Sequence, residues 1–351
     1  MKNSTQPDIA RLLVSEAGAT RQINALCGNL LLALSPKILR QFLIWLMIGI
    51  AAYGITIAAV SDFGQMQASL ASIGIIGWAS VIGLSTFNIA LRAVRWQHYL
   101  NKLGHRIPAS RNLQYFLAGF AFTLTPAKAG EASRSLYLKQ DGVGYTDSLA
   151  ALFVERLTDL IAVILLALAA AYAFEDYRWL VILAGVCTLA ILPLIHSQLL
   201  RKLLAAASER ISNARISKGL NHLINLINSS AALLRSASLY GGMALSLLAA
   251  FSVCLMMYVT LNLLGMEISM PLAIGIYATG ILVGALSFLP GGLGSAEAVM
   301  IGLLVFAGVE LTTATAATLI CRIAALWYSI AVGIIIVLRL ELGLKPHQEI
   351  G

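Results

Sequence analysis

The chain has 351 residues, 59% of them hydrophobic and 11% charged, against roughly a quarter charged in soluble domains. That balance excludes an ordinary soluble globular protein. The formal net charge of +8 would suit nucleic acid, but the basic residues are spread as membrane topology spreads them and not gathered as a nucleic-acid groove.

Residues 1–40 read as a cytoplasmic or interfacial segment. Its stretch "NALCGNLLLALSP" is apolar but short, and Leu26 before Cys27 spoils the small-residue pattern of a cleaved signal. Apolar runs then recur at 41–60, 70–91, 150–174, 179–196, 240–264 and 315–338. Each is long enough to cross a hydrocarbon core of ~30 Å. None alternates as barrel strands do, so the spans are expected to be helices. The expected fold is an all-α polytopic membrane protein with six full spans. Two Pro/Gly-broken segments, re-entrant or hairpin, make eight if both count.

The polar insert 197–239 carries Ile216, Leu220, Leu223, Ile224 and Ile227 at helical spacing, with Arg215, Lys218 and His222 off that stripe. It suits an amphipathic helix in the cytoplasmic interface and equally a solvated linker between two halves. Residues 339–351 form a tail.

With the N-terminus placed inside, the segments on the inner side, both termini included, hold 21 of the 24 Lys and Arg. Outside lies Arg178, beside Asp62, Glu175, Asp176, Glu267 and Glu310. This is a positive-inside pattern with both termini cytoplasmic, and it implies attraction to anionic lipid, not nucleic acid.

Two stretches echo each other across the linker. "YFLAGFAFTLTPAKAGEASR" precedes the span opening "LFVERLTDL"; "YATGILVGALSFLPGGLGSAEA" precedes "LICRIAALW". Pro126 with Gly130 and Pro290 with Gly294 share a Pro-x-x-x-Gly pattern. An arginine follows each proline inside the next span, Arg156 and Arg322. The first unit, about 70–174, and the second, about 240–338, cross in opposite directions, as in transporters with inverted repeats.

Residues 112–125 make roughly 21 Å of helix, which is short for a crossing and suits a re-entrant segment from the cytoplasm. The stretch before Pro290 fits either a full crossing or a dip from outside. Non-helical backbone at membrane depth is tolerated where it is buried in protein or lines a wet cavity. Gly291, Gly292 and Gly294 would let the chain turn with positive φ and bring bare amides against a ligand. Thr125–Pro126 and the residues near Ser295 read as helix starts aimed at an anion. The competing reading is close helix packing.

Ionisable residues complete the pattern. Glu131 and Arg134 follow the first break and Glu297 the second. Glu155 and Asp159 share one helical face, with Arg156 beside them. Such groups at membrane depth face a cavity or one another, although Arg156 is near enough to its span's start to snorkel. Arg322 lies deeper, with Glu297 as its natural partner. Arg92, Arg95 and Trp96 end the second span, either as an interfacial anchor or as a site gathering anionic headgroups. The four cysteines show no metal or redox spacing and read as small buried side chains. GGLG lacks the Lys-Ser/Thr of a nucleotide loop. No cofactor and no metal is expected.

"LRAVRW", "TPAKAGEASR", "ERLTDL" and "LPGGLGSAEA", in this order, resemble the lysylphosphatidylglycerol synthase transmembrane family. This is the flippase-like membrane domain of the multiple peptide resistance factor. The resemblance spans roughly 35–340 and implies a flippase-like domain over 41–338 that moves a polar-headed lipid between leaflets. It marks Pro126, Gly130, Glu131, Arg134, Glu155, Arg156, Asp159, Pro290, Gly291, Gly292, Gly294 and Glu297. The chain ends about a dozen residues after its last span, so the synthase chemistry is expected to be absent. The expectation is a lipid translocase of the cytoplasmic membrane, not an enzyme. Its substrate would be an anionic or aminoacylated phospholipid, a polyprenyl-phosphate or a glycolipid. Arg134, Arg156 and Arg322 would receive the phosphate, with Glu131, Glu155, Asp159 and Glu297 balancing those charges or taking a proton. The alternatives are a non-catalytic partner of an envelope-lipid enzyme, or an integral-membrane headgroup enzyme. Oligomeric state is not legible.

Overall fold

The computed structural model describes residues 63–125, 131–171, 226–234 and 236–343, with isolated positions 47, 179, 182, 183, 186 and 224. The expected spans 41–60 and 179–196, the N-terminal segment, most of the linker, Pro126 to Gly130 and the end of the tail lie outside the described residues. Among the described residues all regular structure is helical. In chain order the α-helices are α1 Phe63–Ser72, α2 Gly74–Lys102, α3 Ala109–Ala118, α4 Arg134–Gln140 and α5 Tyr145–Ala171. They continue with α6 Ser236–Leu263, α7 Met270–Leu286, α8 Ser295–Phe306, α9 Leu311–Arg322 and α10 Tyr328–Gly343. A π-helical turn at Ile323–Trp327 joins α9 to α10.

Three stretches are long and apolar enough to cross a membrane: Gly74–Lys102, Leu239–Leu263 and Leu311–Leu340. Helix α5, with 27 residues, is about 40 Å long, but Glu155, Arg156 and Asp159 interrupt its first half. The surface is inverted relative to a soluble protein. Ile75, Ile76, Phe306 and Leu338 are exposed, whereas Arg95, Arg134 and Glu155 are buried. That arrangement suits a polytopic membrane protein, whose apolar exterior meets lipid and whose charges face inward.

Helices α2 and α6 pack along one another in opposite directions. Tyr99 lies against Gly242, Arg95 donates to Ser246, Asn88 Nδ2 donates to the Ala249 carbonyl at 2.6 Å, and Gly77 meets Leu263. Residue numbers fall along one helix as they rise along the other. Both helices end in the same way. Gly104 (φ 91) and Gly265 (φ 77) take the left-handed cap position that non-glycine residues avoid. The amide of His105 returns to the Leu100 carbonyl at 3.0 Å, and that of Met266 to Leu261 at 2.9 Å.

A helical hairpin follows each cap. In the first, Arg111 Nη1 bonds Asp141 Oδ1 at 2.8 Å and the Tyr115 and Tyr137 rings stack at 5.6 Å. In the second, Gly280 lies against Met300 and Gly284 against Ala296. These pairings require antiparallel arms. They are centred in sequence on positions 126 and 290, the two motif prolines. The arms of the second hairpin, 17 and 12 residues long, make roughly 25 and 18 Å, and they start and finish at the same end of the bundle. Residues 270–306 therefore re-enter and do not cross. Because α2 and α6 are antiparallel, the two hairpins enter from opposite ends.

Each hairpin leans on the other unit. Helix α7 packs along α5, while α3 and the turn Gly119–Phe122 pack on α10. There Gly333 faces the backbone of Phe120 and Ala121, so closely that an added Cβ would clash. The second break is equally tight. Gly292 has φ 66, and a Cβ on it would stand 2.9 Å from Gly284 Cα.

Gly292→Ala is expected to destabilise the protein by about 1–3 kcal/mol through overpacking and left-handed strain. Gly302→Ala, with open space around it, should be neutral or stabilising by up to ~1 kcal/mol. Thermal unfolding of both purified variants in detergent checks the contrast.

Candidate functional site

Arg92 and Arg95 sit one turn apart on α2, and Glu155 and Asp159 sit one turn apart on α5, so two helix faces meet with complementary charge. Arg92 Nη2 donates to Glu155 Oε1 at 3.1 Å, and Arg95 Nη1 to Asp159 Oδ1 at 2.5 Å. Arg95 Nη2 stands 3.3 Å from Glu155 Oε1. The first hairpin adds Arg134, whose Nη2 donates to Glu155 Oε2 at 2.5 Å, and Glu131, which accepts from Arg156. Thr123 Oγ1 donates to Glu131 Oε1 at 3.5 Å. The Arg134 guanidinium also lies over the Trp96 ring at 3.8 Å, and Trp96 Nε1 donates to Asn112 at 3.2 Å. Ions removed from water each cost several kcal/mol, and the cost is offset only by partners at such distances. The network therefore ties α2, the first hairpin and α5 into one body.

The second unit holds a smaller version. Arg322 Nε donates to Glu297 Oε1 at 2.6 Å and Arg322 Nη2 to the Gly291 carbonyl at 2.7 Å. Glu297 Oε2 accepts the Gly294 amide at 2.8 Å, capping the start of α8. The two acid–arginine pairs, Glu131 with Arg156 and Glu297 with Arg322, have the same spacing of 25 residues. In each unit the acid follows the break and the arginine lies in the closing helix. Arg322 is the last residue before the π-helical turn, a distortion frequent at functional sites.

A cavity of about 300 Å³ lies between the units, at the small end of the range for ligand sites. Arg92, Glu131, Arg156 and Asp159 reach it from the first unit, and Arg322, Gly291 and Gly292 from the second. Ser85, Asn88, Thr123, Tyr277 and Ser329 supply neutral polar groups, while Leu160, Val163, Val253 and Leu282 make an apolar wall. A charged zone beside an apolar one suits an amphiphile. Among the described residues no cluster of His, Cys, Asp and Glu is placed to hold a metal ion. Cys254 and Cys321 are buried free thiols; Cys27 and Cys187 lie outside the described residues.

The structure thus brings Glu131, Arg156, Asp159 and Arg322 to one cavity, with Glu155 and Glu297 buried behind them. Several expectations are corrected. Arg134 is buried against Glu155 and Trp96 and does not line the cavity, so it organises the site and is not placed to receive a phosphate. Arg95 and Trp96 are fully buried, which removes them from any interfacial anchor or headgroup-gathering role. Helix α2 continues to Lys102 past the expected end at 91 because these side chains turn inward. Arg92 belongs to the cavity wall. The amides of Gly292 and Gly294 are not bare: they bond the Leu289 carbonyl and Glu297. The expected positive φ is found at Gly291, Gly292 and Gly294, and Gly292 also packs closely against Gly284 of α7, as the packing alternative held. Pro290 is buried at the turn that they complete. Pro126 and Gly130, and with them the helix start read at Thr125–Pro126, fall on residues not described; the Thr125 hydroxyl donates to the Phe122 carbonyl at 2.9 Å.

Sequence reasoning missed that Arg92 and Arg95 pair with the acids of α5. The complementary one-turn spacings were the available signal. It also missed the repeat Leu100-Asn101-x-Leu103-Gly104 and Leu261-Asn262-x-Leu264-Gly265, which marks the caps before both hairpins. Ser246, Asn88 and Tyr277 carried no local signal.

Two antiparallel units, each a long helix, a re-entrant hairpin and a closing helix around a charged cavity, define a polytopic membrane protein of inverted-repeat build. The sequence signature of the lysylphosphatidylglycerol synthase TM region matches residues 16–333, and the chain belongs to that family. It is also 29% identical over 271 residues to a UPF0104 membrane protein of Methanothermobacter thermautotrophicus strain Delta H, an alignment covering 70% of this chain and 78% of the relative.

Arg134→Ala would leave the buried Glu155 short of its nearest cation, and a loss of about 3–5 kcal/mol is expected. Arg134→Lys should recover only part of it, since an ammonium cannot both stack on Trp96 and form the fork. Detergent melting curves of the two variants provide the check.

Proposed function

We propose that this protein is a translocase of the cytoplasmic membrane that moves a lipid with a charged headgroup between leaflets. The observation that carries the reading is the cavity built jointly by two oppositely entering hairpins, with guanidinium groups from both units in its wall. A site at the interface of inverted repeats can be served from either side. Arg156 and Arg322 would hold the headgroup phosphate, since a guanidinium matches it through two N–H groups. Glu131 and Glu297 hold these arginines in place when the cavity is empty. The acyl chains remain in lipid beside the apolar wall.

The inner excess of Lys and Arg supports cytoplasmic termini; with that orientation the first hairpin would enter from the cytoplasmic face and the second from the outer face. A purely scaffolding partner of a lipid-modifying enzyme would have no need of buried, costly charges around a cavity. The family's description supports a lipid substrate, although the description itself names a synthase's membrane region.

Purified protein in proteoliposomes should flip a fluorescent anionic lipid. Arg156→Ala and Arg322→Ala should each slow this at least tenfold, about 1.4 kcal/mol of barrier, and Glu297→Gln should slow it comparably. Leu338→Ala, on the exposed face of α10, should leave the rate unchanged. Unaltered rates in all three site variants, each still monodisperse on size exclusion, would remove these residues from transport.

A further inference from the structure

The polar groups of the cavity wall are of two kinds. Arg92, Arg156 and Arg322 offer N–H donors, which suit phosphate oxygens. Ser85 and Asn88 are neutral, and nothing so far has given them a function. They precede Arg92 on α2 with Asn88 three residues after Ser85 and Arg92 four after Asn88, so the three side chains share one helix face. All three line the cavity, and from Ser85 to Arg92 the face covers about 10 Å.

A hydroxyl inside a helix ordinarily returns to a carbonyl one turn back. The neighbours of Ser85 do so. Thr86 donates to the Ile82 carbonyl at 2.8 Å, Ser246 to that of Gly242 at 2.8 Å and Ser329 to that of Ala325 at 2.5 Å. Ser85 is 2% exposed, yet among the described residues its hydroxyl has no hydrogen-bond partner. Asn88 is fixed by one end of its amide. Its Nδ2 donates to the Ala249 carbonyl at 2.6 Å, and a carbonyl accepts only from the N–H end, so Oδ1 is the end left over. Among the described residues Oδ1 accepts nothing. Polar groups enclosed by a protein are ordinarily paired within it. These two stand open on a cavity wall, one and two turns from a guanidinium.

We infer that Ser85 and Asn88 recognise hydroxyl groups of the headgroup, so that the lipid carried is a phosphate-linked polyol. The inference rests on the translocation reading. With the phosphate at the guanidinium groups, a substituent lying along α2 reaches both open groups, and it has to replace the hydrogen bonds that water gives them. Asn88 Oδ1 only accepts, so neither a phosphate oxygen nor a quaternary ammonium pairs with it. A hydroxyl donates to Oδ1 and bonds the Ser85 hydroxyl in either sense. A primary ammonium also donates, but it would stand one turn from the Arg92 guanidinium. The polyol can be the glycerol of a glycerophospholipid or the sugar of a polyprenyl-phosphoryl glycoside, since both carry hydroxyls a few bonds from the phosphate.

The test uses the full-length protein in proteoliposomes containing one tagged lipid at a time, in pairs of equal charge. Phosphatidylglycerol is paired with phosphatidylpropanol, which lacks only the two hydroxyls. A polyprenyl-phosphoryl mannose is paired with the propyl diester of the same polyprenyl phosphate. One or both hydroxylated lipids should flip at least about fivefold faster than the matching diester, and the pair that shows this identifies the source of the polyol. Ser85→Ala removes one hydroxyl and keeps the helix packing. It should lower that ratio at least about threefold with no change in the melting temperature in detergent, and Asn88→Ala should lower it likewise. Equal rates within both pairs, a ratio unmoved by both substitutions, or phosphatidylethanolamine flipping faster than either hydroxylated lipid overturns the inference while translocation stands. Flip of no lipid by the wild type overturns both.

Discussion

Glu155 is the carboxylate on which the first unit depends. It is fully buried in a helix at membrane depth and stands within 3.3 Å of guanidinium groups from Arg92, Arg95 and Arg134. No low-dielectric interior accepts a bare carboxylate, so its presence dictates where two other stretches of chain must lie. Helix α2 has to turn its last charged face inward, the first hairpin has to return at a depth that brings Arg134 alongside, and Trp96 has to be covered. Packing between apolar helices in lipid carries no comparable preference for one register over another, because the lipid tails are as apolar as the side chains. The ionic contacts supply that preference.

The second unit meets the same constraint with fewer charges. Arg322 spends its donors on Glu297 and on the Gly291 carbonyl, so one side chain fixes both the acid and the backbone of the break. The first unit commits seven ionisable groups to a comparable task. The units are therefore alike in architecture and unlike in charge, and the cavity between them is lopsided: its charge sits almost wholly on the walls given by α2, α5 and the first hairpin.

Much of this was readable from one sequence. Hydropathy located α6 and the α9–α10 helix within a few residues, and α2 up to the charged face where it turns inward, because a lipid-facing helix must stay apolar for its full length. The Pro-Gly breaks located both hairpins, and the pairing of Glu297 with Arg322 followed from the rarity of charges at that depth. Local pattern could not decide between a crossing and a re-entrant arm for residues 270–306; the contacts of Gly280 and Gly284 with the returning arm decide it. It also could not separate an arginine that snorkels outward from one that turns inward. Arg92-x-x-Arg95-Trp96 looks the same in both cases, and only the position of Glu155 and Asp159, some 60 residues away, distinguishes them. The site is thus a long-range object in a fold whose elements are locally legible.

The way the hairpins are seated has a mechanical consequence. Each rests on the closing helix of the opposite unit, α7 along α5 and α3 along α10, and at Gly333 the backbones touch without room for a methyl group. Such a joint transmits displacement without slack. Under the translocation reading proposed above, that joint would gear an opening at one face of the bilayer to the helix that shuts the other.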